Sequence, residues 1–238
     1  MASNPDPAAE PIPNANASPF VFPGGADKTV VIGATGTGKT IFAAWLLANQ
    51  RLDLRPWVIV EFKDEEFWDR VGSPPIKRLA AGDMPGRLGL HRMNVLPGQD
   101  GDELEAWLWK VWRHGDIGLY IDELNLLPKG NAFKAILRQG RSRRVPVIGC
   151  TQRPVDLDRE VWTETQYKAI FSIEDERDIQ TIQKFTKRAP IDRELPRRWS
   201  YWYDSIRRRL LVLRPVPHPS RLAADLRAAL PQARGLFG

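Results

Sequence analysis

Gly33-Ala34-Thr35-Gly36-Thr37-Gly38-Lys39-Thr40 is the stretch that decides how this chain folds. It follows a β-type apolar run, Thr29-Val30-Val31-Ile32, and leads into a helix-forming run, Ile41-Phe42-Ala43-Ala44-Trp45-Leu46-Leu47. The pattern is G-x-x-x-x-G-K-[ST] in a strand–loop–helix setting, the context that makes it a P-loop. The chemistry needs these residue types. Glycines let successive backbone N–H groups curl around a β-phosphate, and the helix N-terminus adds partial positive charge. Lys39 is placed to reach the β- and γ-phosphates, and the Thr40 hydroxyl to take a place on Mg²⁺. The whole stretch is therefore a candidate site for a nucleoside triphosphate, with ATP and Mg²⁺ as the expected ligands.

Composition narrows the class. At 238 residues the chain can bury a proper core, and one α/β domain with trimmings is the default. The formal charge of +6 is modest but uneven. Arginine gathers in Arg141-Ser142-Arg143-Arg144, Arg197-Arg198 and Arg207-Arg208-Arg209, runs that suit solvated faces, subunit contacts or phosphate contacts. The single cysteine, Cys150, excludes an internal disulfide and fits a reducing compartment. His91, His114 and His218 have no Cys or His partner at ligand spacing, which argues against zinc. No apolar run reaches the roughly 18 residues of a membrane span, and the basic-then-apolar pattern of a signal peptide is missing.

Along the chain, residues 1–19 are Pro, Ala, Asn and Ser with almost nothing to bury, and read as a flexible tail or a strap over a neighbour. Phe20-Val21-Phe22 is a candidate edge strand. Trp57-Val58-Ile59-Val60-Glu61-Phe62 reads as a second strand whose exit, Lys63-Asp64, is either ligand-facing or a plain polar end. Residues 71–89 read as a Gly/Pro-rich surface loop, and His91 to Leu96 as a short strand. Asp102 to His114 is a helix, with Leu104, Trp107, Leu108 and Val111 on one face and acidic residues in the first turn. Its tryptophans suit core or subunit contacts.

Ile117-Gly118-Leu119-Tyr120-Ile121-Asp122-Glu123 is an apolar strand that ends in two carboxylates. On a strand buried on both faces, charge is tolerated only at the end, where it meets solvent or ligand. Asp122 suits the Mg²⁺ shell, and Glu123 suits a base that polarises the attacking water. Paired carboxylates downstream of a P-loop also argue for a RecA-like core in which a further strand separates the two motifs.

Beyond a loop, Pro128-Lys129-Gly130-Asn131, and a short helix, Ala132 to Gln139, the chain runs through Gly140-Arg141-Ser142-Arg143-Arg144. A strand, Val145 to Cys150, then ends at Thr151-Gln152-Arg153-Pro154. Here the sequence resembles the FtsK–HerA superfamily of DNA-pumping ATPases. The strand ending in T-Q-R-P, the arginine before it, and the later Lys168 to Ile173 strand with its polar turn Glu174 to Asp178 carry the likeness, over roughly residues 29–187. The resemblance implies that Gln152 is a polar sensor at the tip of the strand beside the P-loop strand. It implies that Arg141 enters the nucleotide site of the neighbouring subunit, with Arg143 and Arg144 as close alternatives.

Trp199-Ser200-Tyr201-Trp202-Tyr203 and Arg209-Leu210-Leu211-Val212-Leu213 read as an appended β-hairpin, either packed on the core or offering aromatics and arginines to bases and phosphates. Ser220 is the expected cap of a last helix with Leu222, Leu226 and Leu230 on one face. The expected architecture is thus α/β: a tail over 1–19, a RecA-like (ASCE) P-loop NTPase core with a mainly parallel sheet over 20–190, and a C-terminal hairpin and helix over 191–238. Within the superfamily the chain most resembles the genome-packaging ATPases of tailless, membrane-containing icosahedral viruses. That resemblance implies a hexameric or pentameric ring threaded by double-stranded DNA, gripped by phosphate contacts with Lys129 and its loop as the pore candidate. It implies a place in the host cytoplasm or at a packaging vertex, with capsid or membrane-associated viral proteins as partners. The rivals are another FtsK–HerA pump, plasmid-borne or cellular, and a nucleotide-switched morphogenesis factor.

Overall fold

Strands that are apolar along their whole length have to be covered on both faces, so the sheet they form must be sandwiched between helices. The computed structural model describes residues 20–63, 66–71, 76–96, 100–187, 191 and 194–231. The P-loop strand β1 (Lys28–Ile32) passes through the loop into helix α1 (Lys39–Ala48). Then follow β2 (Pro56–Glu61), α2 (Glu66–Asp69), β3 (Lys77–Leu79), β4 (Gly89–Asn94), α3 (Gly101–His114), β5 (Gly118–Ile121) and α4 (Ala132–Gln139). The remaining elements are β6 (Val147–Thr151), α5 (Arg159–Glu164), β7 (Tyr167–Ile170), α6 (Glu176–Phe185), β8 (Ser200–Asp204), β9 (Arg209–Leu213) and α7 (Pro219–Ala229).

Among the described residues nine strands form one sheet in the order β3-β4-β2-β5-β6-β1-β7-β8-β9. The strands from β3 to β7 run parallel, and β8 and β9 are antiparallel additions. β6 lies between the P-loop strand and the strand that ends in the two carboxylates, as a RecA-like core requires. The alternation along β1 shows how the sheet divides the core. Val30 and Ile32 join a cluster with Leu104, Trp107, Leu108 and Ile136, whereas Val31 joins one with Phe42, Leu46, Leu47 and Leu222. Helices α3 to α6 thus cover one face, and α1, α2 and α7 the other.

The hairpin belongs to this sheet. Tyr201, Trp202 and Tyr203 are all buried and spent on packing, whereas Trp199 is half-buried with Arg214 5.8 Å from its ring. Three local expectations need correction. Phe20 to Phe22 do not form a strand; instead the Phe20 and Phe22 rings close on Trp45 at centroid distances of 5.4 and 4.8 Å. The stretch 71–89 contains β3, which pairs in parallel with β4. The last helix is capped by His218, whose Nδ1 accepts from the Ser220 N–H, with Pro219 in the first turn. A proline there needs no N–H partner and its φ is already helical, so it displaces Ser220 from the cap. Leu230 lies just past that helix. The expected tail and Asp64 fall outside the described residues.

Two polar contacts set the loops around the sheet. Helix α4 begins at Asn131 without a cap from its own side chain. The Glu105 carboxylate of α3 replaces it, accepting from Asn131 N and Ala132 N at 2.9 Å each. Gly130 leaves room for it: a Cβ there would lie 2.1 Å from the Glu105 carboxyl carbon, so a side chain would make that end group shift. Between β2 and β4, Arg92 donates to Glu61, and both side chains are almost wholly buried. Arg92 also donates to Asp69 at 2.5 Å, so the guanidinium is held between two carboxylates.

His91 on β4 is buried, and its Nε2 accepts the Gly86 N–H at 3.0 Å. Burial, reinforced by the Lys77 charge, holds its pKa below the ordinary histidine value. The unfolded chain takes up this proton near pH 6.5 and the folded chain only at lower pH, so stability is complete above that point and declines as pH falls below it. Urea titrations should show the unfolding free energy of the unaltered chain falling more steeply than that of His91→Gln below about pH 6.5. Parallel curves would remove His91 from the acid response.

Candidate active site

Parallel packing brings the C-terminal ends of β1, β5, β6 and β7 to one edge of the sheet, where open α/β folds bind ligands. Ile32 lies opposite Thr151 and Ile170 in register, and Ile121 opposite Gly149. The P-loop, the Asp122-Glu123 pair and Gln152 all leave the sheet at this edge. Three motifs separated in sequence thus become neighbours in space.

The P-loop has the shape of a phosphate cradle. Gly36 and Gly38 take φ values of +77° and +109°, a region that side chains rarely enter. Gly33 faces a packing limit instead, because a Cβ there would come within 2.6 Å of Phe171 Cβ and 2.8 Å of Thr37 Oγ1. Lys39 Nζ and Thr37 Oγ1 both donate to the Ala34 carbonyl, each at 2.8 Å. The lysine therefore bends over its own loop and can exchange that carbonyl for a phosphate oxygen. Burial pulls the Lys39 ammonium below the usual lysine range, the carboxylates of Glu123 and Asp122 oppose this, and the exposed Lys63 adds to the lowering. The exit of β2 is thus within electrostatic reach of the site.

The carboxylates sit where buried charge is supported. Asp122 and Glu123 are 7% and 5% exposed. Glu123 Oε1 accepts Gln152 N at 3.0 Å, and Oε2 accepts Gln152 Nε2 at 3.1 Å. The Gln152 Oε1 in turn accepts the Thr35 hydroxyl at 2.6 Å. Gln152 is therefore a bridge from the P-loop to Glu123, and each carboxylate oxygen keeps a second lone pair for water. Cys150 lies behind this edge, fully packed, with Sγ 3.9 Å from the Tyr120 hydroxyl, and burial pushes its thiol far up. Such a thiol is inert.

Arg141 is elsewhere. It precedes β6, at the N-terminal edge of the sheet, where its charge is felt by Lys28 at the start of β1. A five-residue strand separates that edge from the chain's own P-loop, a span of about 15 Å. The neighbouring arginines are engaged: Arg144 pairs with Asp116, and the Arg143 guanidinium lies 4.7 Å above the Trp112 ring. Among the described residues nothing holds the exposed Arg141 side chain by a hydrogen bond or ion pair.

A cavity of about 400 Å³ opens from Thr35, Lys39 and Thr40 toward the segment Pro215 to Pro219, with Arg198 on its wall. Sequence reasoning missed these last residues. Arg198 stood only as part of a basic run, and the alternating Pro215-Val216-Pro217-His218-Pro219 was the available sign of a stiff strap. A cavity of about 600 Å³ at the opposite edge is bordered by Arg55, Asp116 and Arg144. There Arg55 binds backbone carbonyls and Arg144 pairs with Asp116, and none of the three motifs at the P-loop edge reaches it.

No protein-family model matches the chain. Among curated proteins it is similar to the DNA packaging ATPase P9 of Enterobacteria phage PRD1, 32% identical over 209 residues that span 82% of this chain and 90% of that protein. Among solved structures it resembles the genome packaging NTPase B204 of Sulfolobus turreted icosahedral virus 2 in complex with AMP. That likeness has a TM-score of 0.65 at 18% identity and covers 82% of this chain and all of that one. It also resembles ATPases 2 and 3 of EssC from Geobacillus thermodenitrificans, with a TM-score of 0.60 at 10% identity over 86% of this chain and 44% of that one. The solved structures show the fold, and the level of identity to P9 shows the lineage: the chain belongs to the family of the phage DNA packaging ATPase P9.

Proposed function

We propose that this chain is one subunit of a ring that hydrolyses ATP to drive double-stranded DNA into a viral capsid. The observation that carries the reading is the Thr35–Gln152–Glu123 bridge, which links a phosphate cradle to a buried carboxylate in a member of a packaging-ATPase family. The backbone of Gly33 to Thr40 and the Lys39 ammonium hold the phosphates. Glu123 polarises the attacking water, and Gln152 senses the γ-phosphate through Thr35. Mg²⁺ fits the donor set, because the Thr40 hydroxyl and the Asp122 carboxylate supply two hard oxygens beside those of phosphate and water. The ion, when bound, neutralises charge on the phosphates.

Arg141 acts in trans. It is on the far edge from its own P-loop, and unlike Arg143 and Arg144 it is not tied down, so a neighbour's site is the one it can complete. That requirement makes a closed ring, hexamer or pentamer, the working form. Exposed Lys129 lies six residues beyond Glu123 on a loop clamped by Glu105, and it is placed to contact DNA phosphates without reading sequence. No helix among the described residues is long and apolar enough to cross a membrane. The packaging vertex and its capsid or membrane-associated proteins are the partners this reading calls for, in the host cytoplasm or on the virion.

Three measurements test it. Double-stranded DNA should raise ATP turnover by the full chain, and indifference to DNA would sink the motor reading. Glu123→Gln should bind ATP normally and turn it over at least about a hundredfold more slowly. Undiminished hydrolysis would take Glu123 out of the base role. Arg141→Ala should lose activity alone but regain part of it when mixed with Glu123→Gln subunits, which still carry Arg141. No recovery on mixing would reject the trans assignment.

A further inference from the structure

The cavity beside the P-loop is larger than a phosphate cradle needs. Past Thr40 its wall is apolar, built from Ile41, Phe67, Phe171 and Val216, with Pro217 closing it. Phe67 and Phe171 are buried, which fixes the wall they form. Polar side chains are few beyond the P-loop, namely Arg198 and His218. His218 Nδ1 already serves the Ser220 N–H at the start of α7.

Arg198 is held there at a cost. It takes φ +65° in the turn closed by the Trp199 N–H to the Pro196 carbonyl. Third place in a β-turn with positive φ is the seat of glycine, and a larger residue there is strained. The turn presses the Arg198 stem over the P-loop, with Cγ 3.7 Å from where a Cβ on Gly38 would stand. Among the described residues four other non-glycine residues also take positive φ, and Arg198 is the one of the five that lines the cavity beside the P-loop.

We propose that Arg198 and the strap from Pro215 to Pro219 form the nucleoside subsite, and that it takes a planar base by shape and stacking without reading which base it is. The inference rests on nucleotide binding at the P-loop and adds where the nucleoside goes. Beyond the P-loop, the described wall carries no carboxylate, amide or hydroxyl side chain to accept from an exocyclic amine. Three prolines in five residues also strip the strap of backbone donors for ring nitrogens. Strong discrimination between similar ligands needs buried polar groups left unpaired by the wrong one; the Arg198 and His218 side chains are exposed and can turn to water instead, which leaves the strap carbonyls as the remaining acceptors. The Arg198 guanidinium stacks over the base, as planar cations do on π faces.

Calorimetric titration of the full chain with non-hydrolysable ATP and GTP analogues, and with inorganic tripolyphosphate, tests this. The two nucleotides should bind within about fivefold of each other, and a preference beyond about a hundredfold would overturn base-blind binding. Arg198→Gly suits the turn and should melt no lower than the unaltered chain, yet bind the ATP analogue about tenfold more weakly. Tripolyphosphate should bind that variant as before. Unchanged ATP affinity would remove Arg198 from the subsite, and equal loss of tripolyphosphate would assign it to the phosphates instead. Val216→Asp should likewise weaken nucleotide and spare tripolyphosphate; no effect on the nucleotide would remove the strap. If the unaltered chain binds neither nucleotide nor tripolyphosphate, the nucleotide reading itself fails.

Discussion

Everything at the active edge depends on Gln152 being able to touch Glu123 and Thr35 at once. It can do so only because β6 is inserted between β1 and β5, and because parallel register brings the three strand ends level. A slip of one residue in β6 would turn the inward set of side chains outward and carry Gln152 away from the carboxylate. The apolar packing of Val147 to Thr151 against both neighbours is what prevents that slip, so the core specifies the catalytic geometry.

The same logic explains what could be read before the structure was known. P-loop, carboxylate pair and T-Q-R-P strand end each carry their context within a few residues, and the strands are continuous apolar runs. A mainly parallel sheet with one strand between the two motifs followed from those signals and the resemblance; the rest of the strand order came from the structure. The misses have different physics. Phe20 and Phe22 look like a strand by composition, but what decides their state is the Trp45 ring on α1, remote in sequence. β3 is a three-residue strand whose residues are largely exposed and so leave no period to detect. Ser220 obeys the capping preference, yet Pro219 moves the helix start two residues upstream.

Residues around the cavity beside the P-loop were illegible for a related reason. Arg198 and the Pro215 strap flank a hairpin and reach the P-loop only because β8 is laid antiparallel on β7. No local pattern encodes that return. The likeness singled out Arg141, but its position at the opposite edge of the sheet, and the engagement of Arg143 and Arg144, belong to the folded chain alone.

The clamp between Glu105 and the start of α4 has a consequence for how this sequence can drift. Gly130 leaves room for the carboxylate, and the carboxylate supplies the cap that Asn131 lacks. A side chain at 130 would evict Glu105, while loss of Glu105 would free position 130 to vary. The two sites are therefore coupled: a side chain at 130 makes the flexible end of Glu105 move, and what is lost is the cap of α4. The stability of that helix start thus depends on both positions together.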